Sequence, residues 1–467
     1  MSVIETTGEL SPPPGAITSR IADYIAGLRV GELSPQLRRF ARHMLLDCLG
    51  CMVSGAQTPS GRAALAFARN TPLAQARLIG GGDRVSVERA AFANTVCCNA
   101  LDFEPVGPEG HVGAVAIPTA LALADWLDVS GEALLAAVVA GLEVGGRIGA
   151  AWRRPSSIAA NGTPLVRGTP HAVFSAAAPA ALLLGLDRET TRHAIGIAGY
   201  SAHVPTLRKA MSLREPPMTK YDHLGGMAQG GIDAVRLAQQ GFTGDLELFE
   251  GDLGMWRFAG ALGCDWSLLE EFGGDFMIAP TFFKAFPCIL YENPVLRALR
   301  KIVEERGVQP EEIERIVIRP SRAGAAQHGD GRGGPMAQWM SLRLNAAHAI
   351  CNTRPYHAWH DGKPLPARIA RLVDVTTIEP YVAAPGEQKG LYWEGYSPAH
   401  VTVVTKDAAY EERVVHLERM TEEALVTKFL DNVAPIIGAV RAEELAEMIL
   451  AVEELPRARM LLDRLWE

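Results

Sequence analysis

Between Gly113 and Gly146 the chain is almost continuously apolar, made mostly of Ala, Leu, Val and Gly, yet it carries Asp125, Asp128, Glu132 and Glu143. A bilayer-spanning helix needs about 20 consecutive apolar residues with few or no charges. Four acids therefore point to helices buried in protein rather than lipid. The small side chains let such helices approach closely, as in a tight bundle. This tract predicts a mainly α chain.

The flanking sequence extends the pattern. Ile17, Ile21, Ile25 and Leu28 fall on one helical face, and Leu37, Phe40, Met44, Cys48 and Cys51 form a second stripe behind a Ser34-Pro35 start signal. Helices are expected over 86–99, 114–126, 131–150, 170–184 and 189–200. A further helix contains Gly225, Gly226, Gly230 and Ala234. Glycine costs about 1 kcal/mol against Ala in a helix, so these positions predict close backbone packing. After about Trp266 the character changes. Ile313, Ile316 and Ile318 read as a strand, as do Val401–Thr405 and Glu412–Leu417, and His328 to Met336 reads as a flexible connection. Helices return over 421–432 and 442–454. The expected architecture is a large helical domain from both chain ends, residues 1–265 and 418–467, with an α+β domain inserted at 266–417.

At 467 residues the chain exceeds one ordinary core. A net charge of −8 without a Lys/Arg block argues against a nucleic-acid partner. Seven scattered cysteines suggest free thiols in a reducing, cytoplasmic setting. The stretch "MSVIETTGELSPPPG" shows no basic and apolar signal pattern, and no membrane partner is expected.

Three stretches can carry chemistry. In "LDFEPVGPEGHVG", Asp102 and His111 flank a loop whose Gly/Pro content reads as mobile, ahead of a helix. A histidine can take and give a proton near neutrality, and a carboxylate can orient it. The alternative is a surface loop with two solvated polar groups. In "MTKYDHLGG", Lys220 and His223 open the Gly-rich helix and would suit a small polycarboxylate, unless they only cap it. In "FFKAFPC", Lys284 stands between Phe283 and Phe286, either snorkelling or reaching a pocket. Cys48 and Cys51 form a C-x-x-C inside an apolar stripe, without the second pair that zinc would need. No metal site has recognisable spacing, and the nucleophile-elbow, P-loop and dinucleotide motifs are missing.

In order, "RAAFANTVCCNALDFEPVGPEGHVGAVAIPTALALAD", "MTKYDHLGGMAQGGIDAVRLAQQGFTGDLELFEGDLGMW" and "FKAFPCILYENPVLRAL" resemble segments of the MmgE/PrpD family, which includes 2-methylcitrate dehydratase and cis-aconitate decarboxylase. The resemblance implies a helical domain with a smaller lid, a homodimer, no cofactor, and chemistry on small polycarboxylates. It implies that His111 is a proton donor or acceptor, that Asp102 is the family's acidic position, and that Lys220, His223 and Lys284 serve the substrate. The chain departs from the pattern at Asn99, Val166 and Glu292, where histidines are expected, with His171 a shifted substitute for the second. Glu104, Pro105 and Val106 stand where an Asp and a Thr are usual, and Leu344 where a Tyr is often found. The resulting expectation is a cofactor-independent lyase, a dehydratase or decarboxylase of a small carboxylate. The alternatives are an epimerase or isomerase using the same acid–base site, or a non-catalytic ligand-binding member.

Overall fold

The computed structural model describes residues 11–71, 73–152, 169–203, 217–261, 263–278, 280–321, 329–351, 353–385, 387, 390 and 394–466, without the side chains of 220–223. The chain is mainly α. Helix Pro35–Gly55 begins as its start signal predicts, with Ser34 Oγ accepting the Leu37 N–H at 3.0 Å. Ser86 and Ser130 cap helices Val87–Asn99 and Gly131–Ala151 in the same way.

The apolar tract folds as helices Gly113–Leu127 and Gly131–Ala151 in the centre of one large core. Among the described residues only Gly131–Ala151 is long and apolar enough to cross a membrane, and 83% of its apolar window is buried inside the protein. Its small residues make close contacts. A Cβ on Gly141 would lie 2.6 Å from the Ser175 carbonyl oxygen on helix Ala172–Leu183. The Gly-rich helix Thr219–Gln239 behaves likewise. A Cβ on Gly225 would meet the Phe92 carbonyl oxygen at 2.9 Å, and one on Gly231 the Ala176 Cβ at 2.5 Å. Gly226 faces the side chain of His203 instead of another backbone, and Gly230 faces Ser201, with its Cβ at 3.0 Å and its carbonyl oxygen at 3.6 Å.

A second hydrophobic core draws on Phe286, Leu296, Ile316, Ile318, Leu342, Leu344, Val401 and Val403. It lies on a four-stranded sheet in the order Thr376–Ile378, Ile313–Pro320, Tyr396–Thr405, Ala409–His416. The first pair is parallel, with Ile316 opposite Thr376; the others are antiparallel, with Ile318 opposite Val401 and Val403 opposite Tyr410. Helices Asn293–Arg306 and Leu342–Ile350 complete this core. The expected connection at 328–336 differs in part: Pro335 and Met336 already belong to a short helix, Pro335–Trp339, while His328 lies outside the described residues.

The chain then returns to the first core. Helix Glu422–Ile437 packs on Pro35–Gly55, where Gly50 admits the Phe429 ring. That return brings Lys428 into the interior beside the loop that carries Asp102.

Candidate active site

Helix Val87–Asn99 ends in a turn closed by the Asp102 N–H on the Asn99 carbonyl, 3.0 Å. Asp102 itself takes φ +48°, a left-handed conformation uncommon for a residue with a side chain. The surroundings over-determine it. Lys284 Nζ donates to both the Asp102 carbonyl oxygen and its Oδ1, each at 2.6 Å. On the next residue, Lys428 Nζ donates to the Phe103 carbonyl oxygen at 2.7 Å and to Asp47 Oδ2 at 2.7 Å, and its charge lies 3.9 Å from the Phe103 ring centre. Two buried ammonium groups thus grip consecutive carbonyls. Conformations of this kind persist only under such constraint and concentrate at functional sites.

Beyond Phe103 the chain reaches Glu104, fully buried, and then folds back to His111. The Glu104 Oε1 to His111 Nδ1 distance is 2.6 Å. Asn99 Nδ2 donates to the same Oε1 and lies 3.4 Å from His111 Nδ1. Glu104 is held as the anion: burial pushes its carboxyl up, but the bonded His111 and the Lys284 charge outweigh that and keep it below the usual range. An anionic acceptor fixes the neutral ring with its proton on Nδ1, so Asn99 and His111 are two donors sharing one oxygen. That leaves Nε2 as the atom able to take a proton. It lies 3.8 Å from Asp102 Oδ1, too far for a direct hydrogen bond. The His111 side chain is 23% exposed, whereas Lys284 is 1% exposed. Lys284 remains an ammonium: burial lowers its pKa, but Asp102 and Glu104 more than offset this.

The loop does not have the mobile character its Gly/Pro content suggested. Val106 and Phe282 exchange backbone hydrogen bonds at 3.0 and 2.9 Å, and Gly107 and Gly110 exchange another pair at 3.3 and 3.0 Å. The Glu109 side chain folds over Gly107, and residues 101–107 are buried. Of the first amides of helix Gly113–Leu127, those of Ala114, Val115 and Ala116 are already taken, by the carbonyls of His111 and Val112.

Asp102, His111 and Lys284 therefore come together, from positions 182 residues apart in sequence at the widest. His171 is buried behind the loop, its Nε2 hydrogen-bonded to the Glu109 carbonyl at 2.6 Å. Lys220 and His223 lie in the first turns of helix Thr219–Gln239, but their side chains, like all of Val166, fall outside the described residues. Glu292 is fully buried, accepts from Asn345 Nδ2 at 2.8 Å, and has a carboxyl pushed up by burial to about 8. Leu344 is a core side chain.

Sequence reasoning missed three groups. Glu104 was noted only as a departure, although it makes the short contact to His111 that the sequence reading gave to Asp102. Asp47 and Lys428 were not singled out. Both interrupt apolar helical stripes, Lys428 between Leu425 and Phe429, and a charge at such a position signals a buried partner.

Asp102, Glu104 and His111 also place one possible ligand atom each within 4.8 Å of one another. The donor set fits a metal dication poorly, because the Lys284 ammonium already occupies Asp102 and the His111 Nδ1 already occupies Glu104. The Cys48 and Cys51 thiols are buried and raised by desolvation, and all seven cysteines are unpaired.

Fold and site together define a mainly helical protein with a buried carboxylate–ammonium–imidazole cluster. Residues 19–261, just over half of the chain, match the MmgE/PrpD N-terminal domain. The chain belongs to the MmgE/PrpD family. It is 29% identical over 327 residues to cis-aconitate decarboxylase of Homo sapiens, covering 65% of this chain and 64% of that protein. The Mus musculus protein of the same name is 29% identical over 319 residues, 65% of this chain and 63% of that one. A cis-aconitate decarboxylase-like protein of Aspergillus oryzae is 28% identical over 256 residues, 52% and 51% of the two chains. The chain thus spans less than two thirds of the length of these relatives.

Proposed function

We propose that this protein is a cofactor-independent lyase that acts on a small carboxylate-bearing substrate, with His111 moving the proton at a carbon next to a carboxylate or carbonyl. The observation that carries this is the partly exposed His111 ring, held through Nδ1 by buried Glu104 beside the Lys284–Asp102 pair. The cis-aconitate decarboxylases among the relatives favour decarboxylation. In that reaction the C–C bond to the leaving carboxylate breaks, CO₂ departs, and the electron pair stays on carbon, delocalised into the adjacent unsaturated group. The Nε2–H of protonated His111 then supplies the proton that forms the new C–H bond. Dehydration would use the same atom in reverse: neutral Nε2 removes the proton from carbon, the C–H electron pair becomes the new C=C bond as the C–O bond breaks, and Nε2 returns its proton to the departing hydroxyl, which leaves as water. In both, positive charge near the developing enolate lowers the barrier. Lys284, and Lys220 and His223 by resemblance, are assigned that role and the binding of substrate carboxylates. Asp102 keeps Lys284 charged and placed.

Residues 266–417 are read as the lid, inserted between 1–265 and 418–467; their separate core and the placement of Lys284 near their start support this. A homodimer without metal or other cofactor is part of the same proposal. The test is a screen of small di- and tricarboxylates, cis-aconitate first, monitoring CO₂ release and loss of water with wild-type protein and with His111→Ala. Turnover lost in the variant supports the assignment. Equal turnover, or none by the wild type on any carboxylate, opposes it.

A further inference from the structure

Asp47 and Lys428 stand outside the acid–base group, yet they touch the backbone that carries it. Asp47 lies on helix Pro35–Gly55 and Lys428 on helix Glu422–Ile437. Their side chains are 0% and 6% exposed. Lys428 Nζ donates to Asp47 Oδ2 and to the Phe103 carbonyl oxygen, both at 2.7 Å, and its charge faces the Phe103 ring. The Cys51 thiol donates to Asp47 Oδ1 at 3.5 Å. Burial, and to a smaller extent the Glu104 charge, push the Asp47 carboxyl up, while Lys428 opposes both. Desolvation cancels most of the attraction within a buried ion pair, so such a pair offers little stability over an apolar one. What it does offer here is a fixed direction for one carbonyl.

We propose that Asp47 and Lys428 are positioning residues for the proton transfer: they set the peptide that carries Glu104, and through it the tautomer of His111. The Phe103 carbonyl and the Glu104 N–H share one planar peptide. Lys284 already fixes the Asp102 carbonyl, so fixing the next one from Lys428 leaves the Glu104 Cα little freedom. The Glu104 Oε1 to His111 Nδ1 contact, 2.6 Å, depends on that placement. A displacement of about 1 Å takes it beyond hydrogen-bond range. The ring would then lose the acceptor that keeps its proton on Nδ1, and Nε2 would no longer be fixed as the open atom. Neither lysine falls within residues 19–261, the part that matches the family's N-terminal domain. The acid–base group is therefore assembled only when two later parts of the chain, at 284 and 428, return to the Asp102 turn.

The test uses the full chain labelled with nitrogen-15 histidine, with the His111 signals assigned by their absence from His111→Ala. The variant is Asp47→Asn/Lys428→Met, which leaves neither charge of the pair behind. Gly231→Ala, which strains the contact with helix Ala172–Leu183 instead, controls for lost stability. We expect the neutral His111 ring to be mostly Nδ1–H in the wild type and in Gly231→Ala, and to lose that majority in the double variant. On an accepted carboxylate, kcat of the double variant should fall at least about tenfold with KM within about twofold of wild type, while Gly231→Ala keeps the wild-type kcat. Lys428→Gln, whose shorter amide reaches one of the two acceptors at most, should lie between, and it is the variant read if the double variant does not fold. A wild-type ring that is not Nδ1–H overturns the proposal, as does a wild-type tautomer in the folded variant. The kinetic readout rests on the lyase reading, but the tautomer does not. Turnover lost in His111→Ala with an unchanged tautomer in the double variant sinks the positioning role alone. A shifted tautomer in a protein that turns over no carboxylate sinks the lyase reading alone.

Discussion

Replacing Glu292 by Gln should make the protein more resistant to alkaline pH, and the size of the effect follows from its surroundings. Glu292 is fully buried; one carboxyl oxygen accepts from Asn345, and the buried Cys288 thiol is its other polar neighbour. Desolvation raises its pKa from 4.5 to about 8, so it is the neutral acid at pH 7. In the unfolded chain it ionises near pH 4.5; in the folded one it holds its proton until about pH 8. The folded state thus binds the proton more tightly, and its contribution to stability is fully present below pH 4.5 and lost as the pH rises toward 8. At about 1.4 kcal/mol per unit, the loss between pH 5 and pH 9 comes to about 4 kcal/mol. An unfolding entropy of roughly 2.1 cal/mol/K per residue converts this to about 4 °C in Tm for a chain of this length. Glutamine keeps the acceptor for Asn345 and cannot ionise. Thermal melts from pH 5 to 9 should show the wild-type Tm falling about 4 °C more than that of Glu292→Gln. Parallel curves for the two proteins would mean that Glu292 is already ionised in the fold, and the burial argument would be wrong.

Other substitutions probe the rest of the structure. Glu104→Gln can donate to His111 Nδ1 and so stabilise the opposite tautomer; kcat should fall about 10²–10⁴-fold with the melt little changed. Lys428→Met strands Asp47 beside the Phe103 carbonyl and should cost about 3–5 kcal/mol in denaturant melts. Adding Asp47→Asn should recover much of that loss. Gly231→Ala pushes a methyl to 2.5 Å from the Ala176 Cβ and should destabilise by about 1–3 kcal/mol, measured the same way.

Much of the helical part was legible because burial and period coincide. The Ile17, Ile21, Ile25 and Leu28 stripe, the Ser34-Pro35 start and the Ala-rich pair after Gly113 each carry a local signal that tertiary structure reinforces. The close packing implied by Gly225 was legible too, since glycine in a helix needs a reason. The site was legible only in part. Asp102 and His111 are near in sequence, and Lys284 came from its odd position between aromatics, but no local pattern says which acid bonds the imidazole. That choice depends on Asp102 adopting a left-handed backbone and on Lys284 arriving from far along the chain to take its carboxylate. The same long-range pairing hid Lys428 and Asp47, which lie 381 residues apart in sequence. The loop looked mobile because its Gly and Pro content was visible and its partner at Phe282 was not.

The most direct measurement is turnover of an accepted carboxylate in D₂O by wild-type protein and by His111→Ala, with the product read by NMR and mass spectrometry. For decarboxylation we expect one solvent deuteron on carbon in the wild-type product, at the carbon that lost CO₂ or at the far end of the unsaturated group that took up its electron pair, and a rate reduced at least about 10²-fold in a variant that melts normally. A folded His111→Ala protein that forms the same deuterated product at the wild-type rate would contradict the assignment of the proton to His111.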